Sequence, residues 1–105
     1  MSNKYRVKFS PSAGEEMDKI YQYIFDTLNA PMAAENLIEE IEKKTMRLER
    51  MPYSCPAVDD ELLKAKGYRK LVVNNYIALY VVSEHEKIVT IMHVVYSASN
   101  YLENI

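Results

Sequence analysis

A chain of 105 residues is expected to be one domain, spanning 1–105, and to bury roughly two thirds of its unfolded surface. Apolar content of 49% and charged content of 27% exclude a disordered tail, and no apolar run approaches the roughly 18 residues that cross a bilayer. A single cysteine, Cys55, excludes an internal disulfide, and the absence of a Cys/His cluster predicts neither a structural metal nor a cofactor.

The opening "MSNKYRVKF" has no apolar stretch behind its basic residues, so no signal peptide is expected and the cytoplasm is the expected location. Tyr5 to Phe9 alternate apolar with basic side chains, the period-2 pattern of a half-buried strand. "SPSAGEE" then starts a helix, with Ser10 as cap before Pro11, or with Ser12 and Glu15 as a capping box. Met17, Ile20, Tyr21, Ile24, Phe25 and Leu28 recur at helical spacing until "NAP" breaks the pattern.

A second helix is predicted over residues 32–50. Ala34, Leu37, Ile38, Ile41 and Leu48 form its stripe, Glu39–Lys43 and Glu40–Lys44 are favourable i,i+4 pairs, and Pro52 stops it. Two helices joined this closely predict an antiparallel hairpin. Residues 51–67 are a long connection with a helical turn near residues 59–66. Three strands follow over residues 68–73, 76–82 and 88–95, the first two joined by Asn74-Asn75, because Asn tolerates the positive φ of a tight turn.

The expected fold is α+β: an N-terminal strand, an antiparallel helical hairpin, then a three-stranded antiparallel meander in a small two-layer sandwich. Regular alternation places Tyr76, Ala78, Tyr80 and Val82 on one face, with Ile77, Leu79 and Val81 on the other. It likewise sets Ile91, His93 and Val95 against Met92 and Val94. Both faces are apolar and two helices cover only one. The second face is therefore expected to need another polypeptide, with the long connection and the tail as the alternative cover.

The net charge of −2 is uneven, with residues 1–42 at −4, residues 43–70 at +4 and residues 71–105 at −2. A basic middle on an acidic chain fits a phosphate or an acidic partner, and fits equally a solvated helix end and loop.

"YRVKFSPSAGEEMDKIYQYI", a hairpin ending "RLERMP", then "GYRKLVVNNYIALYVV" and "IVTIMHVVYSASNY" together resemble the RelE/ParE family of bacterial type II toxins, over nearly the whole chain. The resemblance implies a growth-arresting toxin that a cognate antitoxin wraps, laying helix or strand across its sheet and basic groove, as a homodimer or a toxin–antitoxin hetero-oligomer. RelE-like members cut mRNA on the ribosome, whereas ParE-like members block DNA gyrase without a known catalytic centre.

For RNA cleavage by the 2′-hydroxyl, a base, a leaving-group donor and cations on the crowded phosphorane are needed. By resemblance Arg69 supplies a cation. His93 is the residue titrating nearest neutrality, Tyr96 and Tyr101 are candidate acids or stacking platforms, and Lys64, Lys66 and Lys70 would bind RNA. Two family arginines are absent, their places held by Ile77 and Ser99. Structural readings stand beside these: His93 packed between Ile91 and Val95, the tyrosines as core or interface, Cys55 an inert thiol, His85 plain surface. Ribosome-dependent mRNA cleavage is placed slightly ahead of gyrase blockade, with an inactive, antitoxin-binding autoregulator third.

Overall fold

The structure, a computed structural model, describes residues 4–105. Residues 1–3, within the opening read above for a signal peptide, lie outside the described residues. The elements are β1 (Arg6–Phe9), α1 (Pro11–Gln22) running into a π-helical turn (Tyr23–Thr27), and α2 (Pro31–Met46) running into a 3₁₀ turn (Arg47–Glu49). Then come the short α3 (Glu61–Ala65), β2 (Arg69–Val73), β3 (Tyr76–Ser83), β4 (Ile88–Tyr96) and a closing 3₁₀ turn (Tyr101–Asn104). The α+β order is as expected. The sheet order is β1-β4-β3-β2: the meander is antiparallel, and β1 adds to β4 in parallel.

Local chemistry accounts for the boundaries. The Ser10 hydroxyl accepts from the Ala13 N–H and Pro11 occupies the first helical position, so the Ser10 cap operates. Asn29 takes a positive φ of 51° ahead of Pro31, which ends one helix and begins the next. Asp60 caps α3 through the Leu63 N–H, and Gly67 at φ 85° follows it. Asn74, at φ 53°, turns β2 into β3.

The main core lies between the helices and one sheet face. Ala13, Ile24, Ala34, Leu37, Ile41 and Leu48 meet Val73, Ala78, Tyr80, Val89, Ile91 and Val94. Burying each larger aliphatic contributes roughly 1.5–3 kcal/mol. Thr45, also fully buried, returns its hydroxyl to the Ile41 carbonyl at 2.8 Å and so remains satisfied.

Two expectations are corrected. The second sheet face is covered from within: Val58 and Leu63 of the long connection pack on Ile77 and Leu79, with Tyr68, Val95 and Tyr101 around them. No second polypeptide is required there, which removes the burial argument for a partner on that face. The facing of β4 also differs. Leu79 pairs with His93 but Tyr80 pairs with Ile91, leaving Met92 as a bulge. Two residues opposing one reverse the alternation, so Ile91 and Val94 share the helix side while Val95 faces the other way. β1 ends opposite Ile91, and the Ser10 hydroxyl just beyond it donates to the Met92 carbonyl at 2.8 Å. Among the described residues, no helix is long and apolar enough to cross a membrane.

Candidate functional site

Beyond Ile91 the edge of β4 has lost β1 as a neighbour, and α1 takes its place. Glu16, on the second turn of α1, accepts the Val94 N–H at 2.9 Å through one carboxylate oxygen and meets His93 Nδ1 at 3.1 Å through the other. His93 is 17% exposed and engaged by this carboxylate. The sequence reading of His93 between Ile91 and Val95 misses Glu16, whose partner lies 77 positions along the chain. The pair joins α1 to β4 across 77 positions, and no local spacing signals it.

Arg69 is in register with Tyr80, so it projects to the helix side; Lys70 is in register with Leu79 and projects to the other, as alternation requires. The Arg69 guanidinium donates to the Cys55 carbonyl at 2.5 Å and the Tyr53 carbonyl at 3.4 Å, and lies 4.9 Å from the centroid of the Tyr53 ring. Tyr80 donates to the Pro52 carbonyl at 2.8 Å. Arg69 and Tyr80 thereby fasten residues 52–55 to the sheet. Burial, with the Cys55 neighbourhood second, pushes the Tyr80 phenol well above its ordinary range, so it stays a donor.

The same loop is tied at a second point. The exposed Glu84 carboxylate accepts from Tyr5, from Tyr53 and from Lys87, which also sits 4.8 Å from the centroid of the Tyr5 ring. These hydrogen bonds, Tyr5 first, lower Glu84 to about 2, and the bond to Glu84 raises Tyr53 to about 12. Tyr53, held protonated in this way, is not poised to act as a base.

The other residues singled out from the sequence fall elsewhere. Lys64 and Lys66 are exposed on and just after α3. Tyr96, at the end of β4, is half exposed and makes an edge contact with Tyr76 at 5.5 Å. Tyr101 packs on the second apolar cluster. Tyr96 and Tyr101 do meet, in a groove of about 900 Å³ between α1, its π-helical turn and the ends of β3 and β4. Ile20, Tyr23, Leu28 and Tyr76 line it as well, and its charged lining side chains are Glu16 and Lys19. Arg69 is not among its walls. β3 lies between Arg69 and β4, a separation of about 10 Å across two strand spacings. The groove is therefore mostly apolar, with a lone cation beside a carboxylate. Among the described residues, no three His, Cys, Asp or Glu side chains stand close enough to hold a metal ion.

Comparison with known proteins places this architecture. No curated protein matches the sequence significantly. Among solved structures, a chain of the chromosomal ParDE toxin–antitoxin system from P. aeruginosa superposes with a TM-score of 0.73 at 20% identity, covering 90% of this chain and 98% of that one. A chain of the toxin–antitoxin complex RelBE2 from Mycobacterium tuberculosis gives 0.60 at 20% identity, covering 89% and 98%. The sequence model of the ParE toxin of the type II toxin–antitoxin system parDE matches residues 7–101, so this chain belongs to the ParE toxin family.

Proposed function

We propose that this chain arrests growth in the cytoplasm by binding DNA gyrase rather than by cutting RNA, and that a cognate antitoxin neutralises it. The observation that carries the choice is the engagement of Arg69. The cation on which the ribonuclease reading leans has its guanidinium on two loop carbonyls and a tyrosine ring, and β3 separates it from His93. His93 itself is held by Glu16, a carboxylate that would repel an approaching phosphate. A phosphoryl-transfer centre needs convergent positive charge, and the groove that gathers Tyr96 and Tyr101 offers Lys19 alone. Membership of the ParE family supports the same reading. Blocking a protein target requires an apolar, shaped surface, and exposed Tyr23, Leu28, Met32 and Tyr96 supply one.

The test is induction of the chain alone in a bacterium, following plasmid supercoiling, the DNA-damage response and mRNA 5′ ends together. Loss of supercoiling with intact messages is the expected result. New 5′ ends within translated messages, with supercoiling unchanged, would establish cleavage and overturn the proposal. Undisturbed growth would leave only the autoregulator reading.

A further inference from the structure

Four tyrosines meet at the helix-side groove: Tyr23 from the π-helical turn, Tyr76 at the start of β3, Tyr96 at the end of β4 and Tyr101 from the closing turn. The Tyr76 and Tyr96 rings stand edge to face, with centroids 5.5 Å apart and planes at 63°, and so make a corner of two aromatic walls. Tyr23 is close enough to act on Tyr76: burial first, then the Tyr96 and Tyr23 phenols, push the Tyr76 phenol above its ordinary range. Among the described residues, the tyrosine hydroxyls that hydrogen-bond are those of Tyr5, Tyr53 and Tyr80. The four in the groove keep their hydrogen-bonding capacity for a ligand.

The electrostatics of this corner favour a cation. A ring face is negative, a phenol oxygen accepts hydrogen bonds, and Glu16 sets a carboxylate in the wall. The groove is built from residues 16–33 and 75–105, which fall inside the two parts of the chain, residues 1–42 and 71–105, that carry −4 and −2. Among the described residues, Lys19 is the one cation in the lining, and it stacks on no ring. The chain's cation–π contacts join Arg69 to Tyr53 and Lys87 to Tyr5, both away from this groove.

We infer that this tyrosine corner receives an arginine side chain from a protein partner, its guanidinium against the aromatic walls and its N–H groups donating to phenol oxygens and to Glu16. Apolar residues flanking that arginine would rest on Ile20 and Leu28. A guanidinium suits the site better than an ammonium, because it is planar, weakly hydrated, and donates in its plane while a ring covers its face. An acidic segment would meet the Glu16 carboxylate. A single-stranded nucleic acid would stack its bases on the rings, yet its phosphates would face the same carboxylate with Lys19 alone in support. The inference rests on the proposed function only for the existence of a protein partner, and adds the chemical group that this surface selects.

The test reads binding by the isolated full chain, so it fails separately from the growth experiment. Protein with isotope-labelled tyrosine rings is titrated with a short capped peptide of leucine and alanine around a central arginine. Versions carrying lysine, citrulline, norleucine or glutamate at the centre, and free spermidine, are the comparisons. Saturable binding of the arginine peptide is expected, with shifts concentrated at Tyr23, Tyr76 and Tyr96. The lysine version should bind more weakly, and the citrulline, norleucine and glutamate versions about tenfold or more weakly. Tyr23→Leu and Tyr96→Leu, at exposed positions that folding does not depend on, should each weaken the arginine peptide about fivefold, and Tyr96→Phe, which keeps the ring, should cost less. Glu16→Gln keeps an acceptor for the Val94 N–H and should weaken the arginine peptide while leaving the norleucine version unchanged. Equal binding of the citrulline or norleucine version, or tighter binding of the glutamate version, would overturn the inference. So would spermidine binding as tightly, the same tyrosine shifts appearing by self-association alone, or no saturation by the arginine peptide at about 10 mM.

Discussion

Replacing Arg69 by methionine tests whether this residue belongs to the architecture or to a target-facing site. The methionine keeps most of the apolar stem and removes the guanidinium. Lost with it are a charge-assisted hydrogen bond to the Cys55 carbonyl, a longer one to the Tyr53 carbonyl, and the stacking on Tyr53. A hydrogen bond to a charged group contributes about 1.5–3 kcal/mol and an exposed cation–π contact about 0.5–1. Half-burial of Arg69 and retention of the Tyr80–Pro52 bond place the net loss near the low end, about 2 kcal/mol. For a domain of this size that corresponds to a fall in Tm of roughly 8–16 °C. The assay is thermal unfolding followed by circular dichroism, with amide exchange at Lys70 and Val58, whose hydrogen bonds join the loop to β2. Both amides should exchange faster in the variant. An unchanged Tm and unchanged exchange would refute the fastening role, and loss of toxicity in such a variant would return Arg69 to the functional surface.

Glu84 should make stability acid-sensitive: its lowered value of about 2 means that its contribution is fully present above the ordinary 4.5 and is lost as pH falls through 2. In urea titrations across that window, Glu84→Gln should flatten the dependence, and an unaltered slope would show that other carboxylates cause it. Glu16→Ala leaves the Val94 N–H without its acceptor and should cost about 1–3 kcal/mol, read as a lower urea midpoint and faster exchange at Val94. Gly67→Ala places a Cβ where nothing lies within 4 Å, yet holds an L-residue at φ 85°. It should cost about 1–2 kcal/mol from backbone strain alone, and a neutral result in thermal unfolding would mean that the turn relaxes.

How far the chain can be read from its residues varies by element. Ser10, Pro11, Asn29, Pro31 and Asn74 act within a few positions of themselves, so the caps and turns they direct are visible in the string of letters. The placement of β1 is not: its partner β4 lies about eighty positions away, and nothing in residues 5–9 says that the pairing is parallel or that it ends opposite Ile91. Met92 is a similar case. A bulge carries no residue signature, yet it reverses the facing of everything after it. The candidate site is legible only in part. Tyr96 and Tyr101 stand out in the sequence and do share a groove. Arg69, singled out by likeness, also fastens a loop through backbone carbonyls, acceptors that are invisible in side-chain identities.

Element order, element boundaries and family are all written in the chain's local properties, because helical and strand periodicities and turn residues act over a few positions. Which faces remain open is a matter of how distant segments pack. The long connection closes the sheet's second face through Val58 and Leu63, and the unmatched surface moves to the helix-side groove. Coverage depends on where those segments come to rest, and competition for the same apolar surface settles that rather than any local pattern.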